Sequence, residues 1–319
     1  MSSVFVTGLS RSGTTLLATI LDSHPDVSMG YELLPGSLGS LSQLAAAIDT
    51  AIEDGAQSAR EVAKALPSSF SPECGVFIKR SARTLVTPEL LAPLLHEFSR
   101  LHGDNPTSLR ERAHIADVIV EAKRNIEATR ITGFKIPLEL SGHYVANDSN
   151  NHVIAVIRDP RDVAASQVSR GMASSMGTFA RSWSGYASEV RSLEKRGVIS
   201  LILRYEDLVT QPDSTISNLQ ETLGLSPASE MRSFFKSKAS VHAPGQRHVN
   251  AEALSQDVFD SSIGRWKTDF SDDDVKAIEQ ICFKGMVDFN YEPAHVSSAS
   301  WLPTLHLTHR LRSMVRRLR

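Results

Sequence analysis

Cysteine is nearly absent: a chain of 319 residues has only Cys74 and Cys282, far apart. Two cysteines cannot build a disulfide framework or a cysteine-type zinc cluster, and a reducing cytoplasm is the natural setting. Long apolar runs are missing as well. No stretch approaches the ~20 residues a transmembrane helix requires. The start, Met1-Ser2-Ser3-Val4-Phe5-Val6, lacks a basic region followed by a long apolar run, so no secretory signal is expected. The eleven histidines show no zinc pattern, since His306 and His309 have neither a third ligand nor an acid beside them. No metal is therefore expected. An excess of positive charge is lacking too: 34 basic residues face 36 acidic ones, for a net charge of −2. The chain as a whole is not a nucleic-acid surface, and no nucleic-acid partner is expected.

What is present is ordinary globular material, with 41% hydrophobic and 22% charged residues, which excludes a disordered chain. The charge is unevenly placed. From Pro303 onward stand Arg310, Arg312, Arg316, Arg317 and Arg319 with no acid among them. Leu311, Val315 and Leu318 recur between them at i, i+4, i+7, a short basic amphipathic pattern suited to an anionic membrane surface or an acidic peptide. A solvated, frayed terminus reads equally well. The expectation is a soluble cytoplasmic protein, peripheral to the inner face of a membrane if the tail of residues 303–319 docks there.

Val4–Thr7 is a short β-branched apolar run ending at Gly8 and reads as a buried strand. A helix follows over Thr14–Ser23. The segments Leu38–Leu66, Pro88–Leu101 and Ser108–Thr129 read as helical. Arg130–Lys135, His152–Ile157 and Val198–Leu203 read as strands. Pro160–Arg170, Thr178–Arg196 and Pro212–Leu223 read as helices. Continuous apolar strands alternating with helices predict an α/β fold of three layers, with a central parallel sheet covered on both faces. Residues 38–130 hold few strand signals and are expected to be a helical insertion. No linker divides the chain, so residues 1–302 are expected to form one domain.

Gly8-Leu9-Ser10-Arg11-Ser12-Gly13-Thr14-Thr15 lies between a strand and a helix. Glycines let the backbone fold back so that N–H groups converge on an anion at the helix N-terminus. The spacing is that of a P-loop, except that Thr14 stands where a lysine would neutralise β- and γ-phosphates. Arg11 is the cation instead. Such a loop is poorly equipped for triphosphate hydrolysis and suits a smaller anionic group. A Ser/Gly turn that merely caps a helix is the plainer alternative.

A second candidate anion site follows the clearest strand. Arg158 stands at its carboxyl end, where open α/β sheets bind ligands. Pro160 and Asp162 suit a helix start, and Ser166 lies about two turns further on. A surface arginine with a serine on a helix flank is the competing reading.

Together these segments resemble sulfotransferases that use 3′-phosphoadenosine 5′-phosphosulfate (PAPS). Ser10 to Leu17 is similar to that family's 5′-phosphosulfate loop, and Arg158 through Ser166 to its 3′-phosphate motif. Ile263-Gly264-Arg265-Trp266-Lys267 is similar to its late segment that folds over the nucleotide. The resemblance implies that Ser10, Arg11, Ser12, Gly13, Thr14 and Thr15, with Arg158, Ser166, Tyr205, Gly264, Arg265, Trp266 and Lys267, bind PAPS. Within the family, Leu21-Asp22-Ser23-His24-Pro25 and Gly30-Tyr31-Glu32 resemble tyrosylprotein sulfotransferases, with Tyr31 in place of a first Glu. Glu32-Leu33-Leu34 also resembles bacterial carbohydrate sulfotransferases. By this resemblance Glu32 is the general base, and Lys135, with Arg11, assists the leaving group. Taken alone, Glu32 reads as a solvated loop acid, Lys135 as a strand-end lysine and Trp266 as core packing. The implied acceptor is a hydroxyl, of a peptide tyrosine or a saccharide. A small-molecule kinase and a non-catalytic nucleotide binder remain as alternatives. Arg80, Arg83, Lys123 and Arg124 are candidates for a basic groove that an acidic tyrosine peptide would need.

Overall fold

The computed structural model describes residues 3–171, 175–236 and 262–297. The arginine tail of residues 303–319 lies outside the described residues. Two compact units are formed, Met1–Ile157 with Val190–Asp260, and Arg158–Glu189 with Ser261–Arg319.

The first unit holds a five-stranded, all-parallel sheet in the order β2-β3-β1-β4-β5. The strands are β1 (Ser3–Gly8), β2 (Val27–Gly30), β3 (Ile131–Lys135), β4 (His152–Ile157) and β5 (Leu201–Arg204). Their alternation sorts two faces. Val4, Val6, Val27, Met29, Ile154, Val156 and Leu203 pack with Leu17, Ile20 and Leu21 of α1 (Thr14–Asp22) and with Ile216 and Leu219 of a later helix, Pro212–Leu223. On the other face Phe5 stacks on Tyr144 of α7 (Ser141–Asn147), ring centroids 3.8 Å apart, and meets Phe134 edge-on at 5.5 Å. Val4–Val6 of β1 and Val153–Ile157 of β4 are buried without interruption, as central strands of a parallel sheet covered on both faces are.

The insertion is helical as expected and lies between β2 and β3. It comprises α2 (Leu41–Glu53), α3 (Ala59–Ala65), α4 (Pro72–Arg83), α5 (Pro88–His102) and α6 (Leu109–Glu127). Three boundaries differ from the sequence reading. The expected helix Leu38–Leu66 breaks into α2 and α3, because Gly55 takes a left-handed φ of 95° and Ser58 caps a new helix by accepting from the Glu61 N–H. Strand β2 is not among the expected strands, since its four residues are too few to show a period. Strand β5 begins at Leu201 rather than Val198, whose N–H instead closes the preceding helix onto the Leu193 carbonyl.

Behind the sheet, the Tyr144 hydroxyl donates to both oxygens of Asp117 at 3.2 and 3.1 Å. Burial pushes the Asp117 carboxyl up to about 7 from 3.8, and the Tyr144 bond opposes this. The folded state then holds a proton that the unfolded chain releases, so this group stabilises the fold at low pH. That contribution is lost as pH rises from about 4 to about 7. Asp117→Asn is expected to flatten the loss of unfolding free energy over that window by up to about 1.4 kcal/mol per pH unit. Urea titrations at several pH values measure it, and parallel profiles for variant and wild type would refute the assignment.

Within the second unit, α8 (Pro160–Val168), the early part of α9 (Met176–Lys195) and the helix Asp272–Asp288 form the core. Trp183 is fully buried, and its Nε1 donates to the Arg158 carbonyl at 3.0 Å. A Cβ on Gly285 would lie 2.7 Å from the Trp183 ring, so only glycine admits this approach.

Candidate functional site

Strand order places β1 between β3 and β4, and the chain leaves β1 toward β2 on one side and β4 toward β5 on the other. Open parallel sheets bind ligands beyond the carboxyl ends of their strands at such a switch point. Each of the five strands ends at a residue singled out above. The Gly8–Thr15 loop follows β1, and Glu32 stands two residues beyond β2. Lys135 closes β3, while Arg158 and Tyr205 directly follow β4 and β5.

In the first unit, the loop after β1 is held by the Ser12 N–H on the Leu9 carbonyl at 3.1 Å. Gly13 precedes α1 at φ 94°, and no side chain caps that helix. The first N–H groups of α1 are thus left to whatever lies at its N-terminus. Arg11 sits at φ 76°, a left-handed conformation that costs a non-glycine residue roughly 1–2 kcal/mol. A Cβ on Gly8 would overlap Thr14, and one on Gly13 would overlap the Tyr205 ring. The tyrosine at the start of the helix Tyr205–Thr210 therefore lies against the loop, bringing two predicted elements together.

The carboxyl ends of β2 and β3 bring together a second group. Gly30 pairs in register with Phe134, so Glu32 and Lys135 arise from neighbouring strand ends. Glu32 also has a left-handed φ, 54°, and its Oε2 meets Arg80 of α4 at 3.4 Å. Burial lowers the Lys135 pKa, with Glu32 opposing and Arg80 reinforcing. Arg83, one turn along α4 from Arg80, is likewise pushed down by burial, with Glu32 opposing and Arg80 reinforcing. Arg80 thus contacts the carboxylate, and Arg83 and Lys135 feel its charge. Strain at functional positions is a recurring device, and Arg11 and Glu32 are two of the five non-glycine residues at positive φ in the described chain.

The residue before Glu32 has a structural task. Tyr31 is buried and its hydroxyl donates to Asp22 Oδ2 at 3.1 Å. Asp22 Oδ1 also accepts from the Met29 N–H at 2.7 Å and from Lys123. Lys123 donates to the Met29 carbonyl at 2.9 Å and lies 3.7 Å from Glu127. This network clamps the end of β2, where Glu32 begins. It also corrects an expectation: Lys123 has no exposed surface and serves no groove, and Arg124 is engaged with Glu121. His24 is equally structural. Its Nδ1 accepts from the Asp26 N–H at 3.0 Å, and its Nε2 donates to the Ser226 carbonyl at 2.9 Å.

Within the second unit, Arg158 is 5% exposed and donates to the Ser262 carbonyl at 2.6 Å. Asp159 caps α8 by accepting from the Arg161 N–H at 2.9 Å. The Arg161 side chain grips Asp159 through Nε and NH2 at 3.0 and 2.7 Å and reaches Glu279 through NH1 at 2.7 Å. Asp162 accepts from the Gly264 N–H at 2.8 Å and the Trp266 N–H at 3.3 Å, and burial raises its pKa. The Trp266 ring lies 4.1 Å from the Arg161 guanidinium carbon. Trp266 is therefore not core packing but a half-buried ring stacked on a cation. The second and third motifs are joined by Asp162, a link the sequence did not reveal. Ser166 is buried two turns into α8, Arg265 pairs with Asp269 at 3.0 Å, and Lys267 is exposed near Gly264.

Among the described residues, no group of three or more His, Cys, Asp or Glu is arranged to hold a metal ion. No described helix is long and apolar enough to cross a membrane.

A family model described as the sulfotransferase family matches residues 3–230. Among solved structures, the sulfotransferase domain of the Synechococcus PCC 7002 olefin synthase is similar at a TM-score of 0.59 and 19% identity, covering 92% of this chain and 95% of that one. The sulfotransferase domain from the curacin biosynthetic pathway is similar at a TM-score of 0.54 and 16% identity, covering 91% and 98%. At these identities the likeness establishes the fold. No curated protein matches the chain.

Proposed function

Because this chain belongs to the sulfotransferase family, we propose that it transfers the sulfuryl group of PAPS in line to an acceptor hydroxyl. The observation that carries this reading is the pair of strand-end groups, Glu32 and Lys135, set on neighbouring strands of the sheet whose first loop leaves a helix N-terminus uncapped. In the transfer, the acceptor oxygen forms a bond to sulfur as the bond from sulfur to the bridging phosphate oxygen breaks. Glu32 takes the hydroxyl proton as the new bond develops. Arg11, Lys135 and the loop N–H groups stabilise charge on the sulfonate and on the departing phosphate oxygen of adenosine 3′,5′-bisphosphate. Tyr205 packs beside that loop on the nucleotide side. Arg158 and Ser166 bind the 3′-phosphate, and Gly264, Arg265, Trp266 and Lys267 fold over the nucleotide.

Thr14 in place of the P-loop lysine speaks against a kinase. The acceptor is taken from two readings of the resemblance, the tyrosine of a peptide and a saccharide or other small alcohol. The burial of Lys123 and the engagement of Arg124 remove half of the basic groove that an acidic tyrosine peptide would use, which favours the small alcohol. The test is incubation with sulfur-labelled PAPS and three acceptor pools: acidic tyrosine peptides, oligosaccharides and small alcohols. Label is expected in one pool together with release of adenosine 3′,5′-bisphosphate. Turnover of ATP with no affinity for the bisphosphate would replace this reading by the kinase.

A further inference from the structure

Three attachments join residues 262–266 to the start of α8, all within the second unit. Arg158 donates to the Ser262 carbonyl at 2.6 Å. The Arg161 guanidinium lies 4.1 Å from the centre of the Trp266 ring. Asp162 accepts from the Gly264 N–H at 2.8 Å and from the Trp266 N–H at 3.3 Å. Arg161 is itself held in place. Both Asp159 oxygens and Glu279 accept from it, and Glu279, fully buried, also accepts from the N–H groups of Ala294, His295 and Val296.

Asp162 is not needed to start its own helix, since Asp159 already caps α8 through the Arg161 N–H. It is 2% exposed, and a carboxylate so buried is costly unless donors meet it. Backbone geometry supplies them. Gly264 is left-handed at φ 74°, and Arg265 follows in the right-handed helical region at φ −55° and ψ −34°. Such a pair turns its N–H groups toward one point and makes a nest for an anion. The anion in this nest is a side chain of the protein's own second motif, 102 residues earlier than Gly264.

We propose that Asp162 is a positioning residue for the donor: by filling the nest at residues 264–266 it holds the covering segment beside Arg158 before the nucleotide arrives, without touching the nucleotide itself. The proposal rests on the PAPS reading above and adds a residue to which that reading gives no role. A segment ordered in advance loses little freedom on binding, so Asp162 acts on donor affinity and not on the sulfuryl-transfer step. The plainer role of an acid in the first turn of a helix is to favour the helix dipole. That role would touch the stability of α8 and leave residues 262–266 and the nucleotide unaffected.

Wild type, Asp162→Asn and Asp162→Ala are compared as full-length proteins. Amide hydrogen exchange of residues 262–270 is followed without nucleotide, and calorimetry measures binding of adenosine 3′,5′-bisphosphate. Transfer kinetics add KM for PAPS and kcat. Asp162→Ala is expected to speed exchange across the segment and to weaken bisphosphate binding by roughly 10–100-fold, while the helix Asp272–Asp288 exchanges as in wild type. Asn keeps one accepting oxygen and should fall between the two in both readouts. KM for PAPS should rise with the same rank, and kcat at saturating PAPS should not fall. Should Asp162→Ala fail to fold, Asp162→Asn carries the same comparison against wild type. Faster exchange with bisphosphate affinity unchanged would overturn the proposal, because the nest would then serve the fold alone. A lower melting temperature with unchanged exchange at residues 262–270 would also overturn it, in favour of the dipole role. Wild type that binds no bisphosphate would remove the PAPS reading itself, and this proposal with it.

Discussion

Glu32→Gln is expected to lower kcat by about 10²–10⁴-fold while adenosine 3′,5′-bisphosphate binds as in wild type. The amide keeps the size of the side chain and an oxygen that accepts from Arg80, but it cannot take a proton from the acceptor. Its contact with Arg80 is between half-exposed groups at 3.4 Å, and such a pair contributes about 0–1 kcal/mol to stability. The melting temperature should therefore hold, so that the lost rate reports chemistry rather than unfolding. The left-handed backbone at Glu32 adds a structural reason to expect a role here, since a solvated loop acid gains nothing from φ 54°. Transfer at the wild-type rate with normal donor binding would remove Glu32 as the base.

Lys123→Met is expected to destabilise the protein by about 3–5 kcal/mol. Lys123 and Asp22 have no exposed surface, and the ammonium also bonds the Met29 carbonyl and faces Glu127. Removing the cation leaves two carboxylates with little to compensate them. The cost is that of an uncompensated buried charge, larger than the net worth of the pair itself. Tyr31 should register the change, because its hydroxyl donates to the same Asp22 and burial with Asp22 already holds its pKa well above the ordinary value. The double variant Lys123→Met with Asp22→Asn should recover part of the loss, as expected for coupled neighbours. Urea unfolding of the wild type and the two variants decides it. A single variant within about 0.5 kcal/mol of wild type would mean that the network does not clamp β2.

The strand, loop and helix at Ser3–Asp22 were legible because a continuous apolar run, two glycines and a helical stripe coincide within twenty residues. β4 was legible from its own continuous apolar run. The Glu32–Arg80 contact was not, because it joins β2 to a helix of the insertion whose twelve residues carried no strong sequence signal. Lys123 read as a surface base since nothing in a helix pattern marks which lysine will meet Asp22, a hundred and one residues away. The second unit was also hidden. Its described core joins Arg158–Glu189 to a segment that returns only after residue 261, and no composition shift marks either crossing.

The most direct measurement follows the sulfur. Purified protein is mixed with sulfur-labelled PAPS and the acceptor panel in a single turnover, and labelled acceptor is counted against adenosine 3′,5′-bisphosphate released. One labelled ester bond per bisphosphate, falling sharply in Glu32→Gln, is the predicted result. Bisphosphate binding with no labelled acceptor across tyrosine peptides, saccharides and small alcohols would contradict the account.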